Sequence, residues 1–219
     1  MSDFTIPLAV SGRLTPDVAR EIAAVYQDRA VYPDRIVVDT PDDLDRLFPR
    51  WPTPVLHIMT ENQGVCVWGV PLDSLHPVVV TCDALVGAVW QETTRVHAPS
   101  MEHFIAARRW DQVCLYREPH LWAQADVLDD ESLAYLRAHF EEVLPTTAFP
   151  APTTHRFQDG TSMVMLWSGE HGCEWRISSS DMGALEGLTS DLLGLSNLRR
   201  ELWCGHEAGE ALLDRLRAK

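Results

Sequence analysis

The chain has 219 residues, of which 46% are hydrophobic and eight are tryptophan, so it has enough apolar surface for one large domain or two small ones and is not expected to be disordered. Its net charge of −14 disfavours nucleic acid and anionic lipid and favours a basic partner, although such a charge also keeps a protein dispersed. No apolar stretch approaches the roughly 20 residues of a membrane-spanning helix, and Asp3 stands where a signal peptide is basic. We therefore expect a cytoplasmic protein that binds neither membrane nor nucleic acid.

Cysteine and histidine spacing indicates neither a disulfide framework nor a metal site. The five cysteines are odd in number, widely spaced and without a Cys-x-x-Cys pair: Cys66, Cys82, Cys114, Cys173 and Cys204. The closest histidine pairings, His97 with His103 and His171 with Cys173, lack the spacing that metal ligands usually show. We expect free thiols, no bound metal and no cofactor.

Two helices are predicted in the first fifty residues. Thr15 is suited to cap the first helix, and Pro16 fits its first helical position. Thr40 and Pro41 have the same two roles at the second helix. Between them, residues 36–38 (Ile-Val-Val) predict a brief strand or an extended link.

After Pro54 the spacing of apolar residues changes from that of a helix to that of β-strands. Residues 55–59 predict a buried strand, residues 61–64 a turn, and residues 65–70 the antiparallel neighbour, with a third strand over 77–82. Gly64 suits a turn position with positive φ. We expect these three strands to form one continuous sheet.

Helices and a second hairpin are predicted in the remaining chain. Ser100 opens one helix, and a second starts at Asp129 or Asp130 and continues to residue 144. Asp159-Gly160 predicts a hairpin between residues 155–158 and 163–167, followed by a strand over 173–178. Ser180 is predicted to cap the next helix, and residues 198–216 have a helical period.

This order of elements predicts an α+β fold. Its centre is a mostly antiparallel sheet meander with helices packed on one face, and a C-terminal hairpin-and-helix segment follows. Residues 145–154 contain three prolines and four threonines and no charge, which favours a linker. We expect one domain over residues 1–144 and a C-terminal part over 155–219 that packs on it.

Motifs of catalysis are not found in the sequence. There is no phosphate-binding glycine loop, no Gly-x-Ser-x-Gly elbow and no His-Glu-x-x-His. The acid pairs at residues 42–43 and 129–130 fall at predicted helix N-termini, where they complement the dipole, and Glu141-Glu142 falls on a predicted solvated helix face. We expect no catalytic residues.

One cluster favours recognition. Glu61, Asn62 and Gln63 place three hydrogen-bonding side chains on a tight turn, and Trp68 follows on the next strand. In one interpretation Trp68 anchors a protein-binding surface. In the other, the polar side chains satisfy nearby backbone amides and Trp68 belongs to the core.

The same residues resemble the sheet core of the SUKH superfamily of bacterial immunity and interaction proteins. The resemblance covers roughly residues 15–110 and rests on Glu61, Asn62, Gln63, Gly64, Val65, Trp68, Pro77, Val78, Val79 and Val80. A helix over residues 100–108, with Phe104, fits the place where that family puts a helix after its strands. The resemblance implies an α+β fold without catalytic residues that binds a partner, commonly a toxin effector.

These observations predict a non-enzymatic protein that binds another protein. The leading hypothesis is an immunity protein that neutralises a basic toxin domain, since an acidic face speeds encounter with a cationic target. One alternative is a regulatory or scaffolding module of the same fold. Another is a hydrolase or transferase of unrecognised type, which would need a cleft that gathers acids and histidines from distant segments.

Overall fold

The architecture follows from a computed structural model, which describes residues 35–39, 47–53, 55–61, 63–71, 77–82, 94–196, 198, 202–204 and 207–217. The fold is α+β, as the sequence predicts. The chain divides into two compact units, and the first consists of Met1–Leu85, Val89–Arg109 and Thr146–Phe149. The second consists of Val86–Ala88, Trp110–Pro145 and Pro150–Lys219. This division differs from the expected one, because Trp110–Pro145, predicted to lie almost entirely in the first domain, belongs to the second unit. The predicted linker over residues 145–154 is divided between the units and contains strand residues at Thr146–Thr147 and from Thr153 on.

The first unit contains a five-stranded antiparallel meander in the order β1-β2-β3-β4-β5. Its strands are β1 (Arg35–Asp39), β2 (Val55–Thr60), β3 (Cys66–Pro71), β4 (Val78–Cys82) and β5 (Arg95–Ala98). The three predicted central strands and their antiparallel pairing are confirmed, and so is the brief strand around residue 37. Strand β5 was not predicted.

Both faces of this sheet are packed. Alternate residues such as Leu56, Trp68 and Val80 point to one face, where they pack with Phe104. Phe104 lies on helix α1 (Met101–Tyr116), and Ser100 caps that helix as predicted, because its hydroxyl accepts a hydrogen bond from the His103 backbone N–H at 3.1 Å. The opposite face holds a smaller cluster that contains Phe48, Val55 and Val79. This alternation is the period-two pattern of a strand buried on both sides.

The second unit is built on a second antiparallel sheet, in which six strands run in the order β12-β6-β11-β10-β9-β7. They are β6 (His120–Ala125), β7 (Glu141–Glu142), β9 (Thr153–Asp159), β10 (Ser162–Gly169), β11 (Gly172–Ser178) and β12 (Leu202–Trp203); β8 (Thr146–Thr147) belongs to the first unit. The hairpin around Asp159-Gly160 and the strand that follows it are confirmed.

Helices cover both faces of the second sheet. One face packs against helices α2 (Asp130–His139), α3 (Met182–Leu192) and α4 (Glu207–Arg217) around Trp175 and Phe157. The other face carries Met163 and Met165, which pack with the last residues of α1. None of the helices in the described part of the chain is long and apolar enough to span a membrane.

The segment after α2 differs from the prediction. The backbone at Phe140 is already extended, with φ −132° and ψ 151°, so the helix ends at His139 and does not reach residue 144. Glu141 and Glu142 form strand β7 opposite β9 instead of a solvated helix face. The reason is tertiary: β7 pairs with β9, and the Glu142 carboxylate accepts a hydrogen bond from His155 Nδ1 on β9 at 2.7 Å. Arg137 Nε on α2 donates to the same carboxylate at 2.6 Å.

Two predictions near the C-terminus are also corrected. Helix α3 is capped by Asp181, whose Oδ1 accepts from the Ala184 backbone N–H at 2.8 Å, while the Ser180 hydroxyl donates to Thr161 Oγ1 at 2.9 Å. Residues 202–203 form a strand, so the helix predicted over residues 198–216 is interrupted there, and α4 accounts for its last part. The predicted helices at Thr15 and Thr40 lie outside the described residues.

Candidate functional site

The predicted recognition turn is held closed by one of its own side chains. Glu61 Oε2 accepts from the backbone N–H of Gln63 at 2.7 Å and of Val65 at 3.5 Å. The Glu61 carbonyl accepts from the Gly64 N–H at 2.9 Å, and Gly64 has φ +78°, which favours glycine. The Glu61 carboxylate therefore stabilises the turn, as the second interpretation of this cluster expects.

Trp68 lies in the core of the first unit and not on its surface. Its side chain is 0% exposed, and its ring packs against Phe149, Phe104 and His97 at centroid distances of 5.4, 6.0 and 6.1 Å. The Arg108 guanidinium carbon lies 4.9 Å from the ring centroid. A partner cannot contact Trp68 unless this core opens, so Trp68 is no surface anchor.

The four predicted site residues therefore do not form one surface. Gln63 is exposed at the tip of the turn, Glu61 is half-buried beneath it, and Trp68 is buried. Asn62 lies outside the described residues. Of the predicted cluster, Gln63 and the turn around it stay available to a partner.

The second unit contains a cavity of about 530 Å³ that the sequence did not indicate. Three segments form it: the loop after β6, the first turns of α2 and the loop after α3. Its lining residues are Asp126, Val127, Asp129, Glu131, Ser132, Tyr135, Gly194, Leu195 and Ser196. Three of these nine are acidic and none is basic, so the cavity favours a positively charged group.

The position of Asp129 shows how the local sequence makes the cavity acidic. Asp129 is the N-cap of α2, and its Oδ1 accepts from the Ser132 backbone N–H at 2.6 Å. This hydrogen bond lowers the pKa of Asp129, so the carboxylate is charged at neutral pH. The sequence identified the acid pair at residues 129–130 as a helix cap, which is correct for Asp129.

The cavity has apolar walls as well as charge. Val127, Tyr135 and Leu195 line it beside the carboxylates of Asp126 and Glu131. Arginine and lysine side chains combine a long aliphatic stem with a charged head, and such a side chain matches apolar walls next to carboxylates. The lining of the cavity can therefore accommodate a long side chain or ligand with a positively charged end.

The histidines, acids and cysteines were also compared with the geometry of a metal site and of a reactive thiol. Over the described ranges, no three or more His, Cys, Asp or Glu side chains form a group that could hold a metal ion. The four cysteines whose side chains are described are buried free thiols. Burial raises the pKa of Cys114 and of Cys173 to about 12, so both stay protonated at neutral pH and are poor nucleophiles.

Comparison of the chain with protein-family models found no match, and comparisons with curated proteins and with solved structures found none either. The resemblance of residues 15–110 to the SUKH superfamily therefore stays a prediction from the sequence.

Proposed function

We propose that this chain is a non-enzymatic binding protein for a basic protein partner and that it acts in the cytoplasm. The observation that carries the proposal is the acidic cavity of the second unit, where Asp126, Asp129 and Glu131 lie beside the apolar walls of Val127, Tyr135 and Leu195. A site of this kind binds by complementarity and needs no reacting group. An arginine or lysine of the partner would place its stem on the apolar wall and its charge near the carboxylates.

The charge of the whole chain supports the same class of partner. A net charge of −14 attracts a basic protein over distances longer than any single contact and raises the rate of encounter. Buried free thiols at Cys66, Cys114, Cys173 and Cys204 are typical of a reducing compartment, which supports the cytoplasm.

The most specific form of the proposal is an immunity protein that neutralises a basic toxin domain. It is supported by the SUKH-like residues of the predicted sheet core together with the acidic cavity. A regulatory or scaffolding module of the same fold would bind a basic partner through the same surface, and the identity of the partner separates the two.

The test is capture of partners from the native host, followed by binding measurements with the purified partner. The cavity variant D126N/E131Q removes two charges and leaves the Asp129 cap intact. The matched control D191N/E210Q removes two charges from the exposed positions Asp191 and Glu210 of the same unit. We expect the cavity variant to weaken binding about tenfold and the control about twofold or less.

Three results would contradict the proposal: an acidic partner, equal effects of the two variants, or turnover of the captured molecule by the chain. A captured toxin whose activity is blocked by the wild-type chain supports the immunity role. A captured basic protein without toxic activity supports the regulatory module instead.

A further inference from the structure

A row of stacked side chains crosses three strands at one edge of the second sheet. Arg176 on β11 pairs in register with Trp122 on β6, and Trp122 pairs with Trp203 on β12. The Arg176 guanidinium carbon lies 3.3 Å from the centroid of the Trp122 ring. The two tryptophan rings are stacked, with centroids 5.4 Å apart and an angle of 10° between their planes.

The inner end of this row shows that the aromatic face holds a guanidinium. Arg176 is 4% exposed, and its Nη2 donates to the carbonyl of Leu115. Its Nε and Nη1 have no hydrogen-bond partner among the described residues, so the Trp122 ring is a principal contact of the charged group. Burial lowers the pKa of Arg176 to about 10, which still leaves the side chain protonated at neutral pH.

The outer end of the row is accessible. Trp203 is 46% exposed on β12, which is the last strand of the described sheet on this side. Exposed tryptophans are enriched among the residues that dominate protein interfaces.

We propose that the accessible face of Trp203 is a docking surface for an arginine side chain of a basic protein partner. The guanidinium of the partner would then stack on Trp203 as the guanidinium of Arg176 stacks on Trp122, so that one guanidinium lies on each side of the tryptophan pair. The charge of −14 complements such a residue, whereas a second copy of the chain would bring equal negative charge to the contact. This proposal rests on the proposed function in that it requires a basic partner.

The probe is a labelled peptide with six arginines separated by glycines, compared with its lysine analogue at physiological salt. Guanidinium stacks on an aromatic face more favourably than ammonium, so we expect the wild-type protein to bind the arginine peptide more tightly. Replacement of Trp203 by alanine should weaken binding of the arginine peptide about two- to fivefold and abolish the preference over lysine. The W203F variant should keep part of the preference, because it keeps an aromatic face.

The control is Y116A, which removes another aromatic side chain of the second unit that is 66% exposed. We expect it to bind both peptides as the wild type does. Unfolding of every variant is measured as well, because W203A removes the stack on Trp122 and is expected to lose about 1–2 kcal/mol, and binding is compared under conditions in which all variants are folded.

The outcomes separate this proposal from the proposed function. Failure of the wild-type protein to bind either peptide would contradict a basic partner, and with it both proposals. Binding without a preference for arginine, or an equal effect of W203A and Y116A, would overturn the Trp203 surface alone. Loss of affinity for both peptides in D126N/E131Q, with the arginine preference retained, would support both proposals as separate contacts.

Discussion

Arg156 and Asp111 form a buried ion pair in the second unit. Arg156 Nε and Nη2 donate to the two carboxylate oxygens of Asp111 at 2.6 and 2.7 Å, and Nη1 donates to the Leu144 carbonyl at 2.6 Å. Arg156 is 2% exposed and Asp111 is 8% exposed. The guanidinium is satisfied on several sides at once, which offsets much of the cost of its burial.

Removal of the carboxylate should therefore be costly. In D111A the Arg156 charge stays buried without its counter-charge, and we expect a loss of about 3–5 kcal/mol in the free energy of unfolding, measured in urea. The control is E186A, which breaks the more exposed pair between Glu186 and Arg215 and should cost less than about 1 kcal/mol. Similar losses in the two variants would show that the buried pair adds little.

The free energy of unfolding depends on pH through the ionisation of Glu142. Burial by itself raises the pKa of Glu142, but hydrogen bonds from Arg137 and His155 outweigh it, and the net effect is a lowered pKa. A carboxylate whose pKa is lowered in the folded state stabilises the protein at pH values above its ordinary pKa of 4.5. This contribution is lost as the pH falls through the lowered pKa.

We expect E142Q to be less stable than the wild type by about 0.5–1 kcal/mol at pH 7, a modest value because solvent screens the pair. The difference should shrink as the pH falls from about 5 to about 3. Urea unfolding at several pH values measures it. The control E141Q removes the neighbouring carboxylate, whose partner is the neutral amide of Gln158 at 3.1 Å, and should have a smaller effect. A constant difference across the pH range would disprove the linkage.

Two glycines on different elements should respond in opposite directions to the same change. A Cβ on Gly69 of β3 would lie 2.3 Å from Val55 Cγ1, 2.6 Å from Phe48 Cζ and 2.8 Å from the Leu56 carbonyl oxygen. We expect G69A to destabilise the protein by about 1–3 kcal/mol, because the neighbouring strand must move.

Gly187 lies inside α3, is exposed, and has no atom within 4 Å of the position of a Cβ. Since glycine costs helix stability through backbone entropy, G187A should stabilise the protein by about 0.5–1 kcal/mol. Thermal or urea unfolding of the two variants tests both signs. A neutral G69A would show that β2 and β3 are less closely packed than described.

The central meander was predictable because its signals are local. Residues 55–60 and 66–71 are buried almost without interruption, as expected for short apolar runs packed on both faces, and Gly64 marks the turn between β2 and β3. Strand β6 was missed although Leu121, Ala123 and Ala125 alternate with Trp122 and Gln124, since two alanines weaken a strand signal. Strand β5 was also missed, because it has only four residues and its first two are exposed.

The cavity could not be predicted, because its walls meet only in the folded chain. Asp126 and Tyr135 precede Leu195 by 69 and 60 residues, and no spacing rule connects them. The burial of Trp68 was equally a matter of packing, since its neighbours His97, Phe104 and Phe149 come from three later segments. The sequence left both interpretations of Trp68 open for that reason.

The net charge of the chain leads to a kinetic prediction. Screening shortens the reach of an electric field to about 10 Å at 0.1 M salt and about 3 Å at 1 M. We expect the association rate with the captured partner to fall at least about tenfold between 0.05 and 1 M salt, and the dissociation rate to change less. Stopped-flow mixing at the two salt concentrations measures both rates. A salt-independent association rate would mean that the charge of −14 serves solubility alone.

The first unit draws its last stretch, Thr146–Phe149, from beyond Trp110–Pro145, which belongs to the second. Phe149 packs on Trp68, so during synthesis the core of the first unit stays incomplete until the ribosome has passed residue 149. By then β6 has been made, whereas its partners β11 and β12 have not. Unpaired strands of that kind are prone to aggregation, so we expect the nascent chain to be most vulnerable to aggregation in this period. The same path means that no single proteolytic cut can release either unit intact.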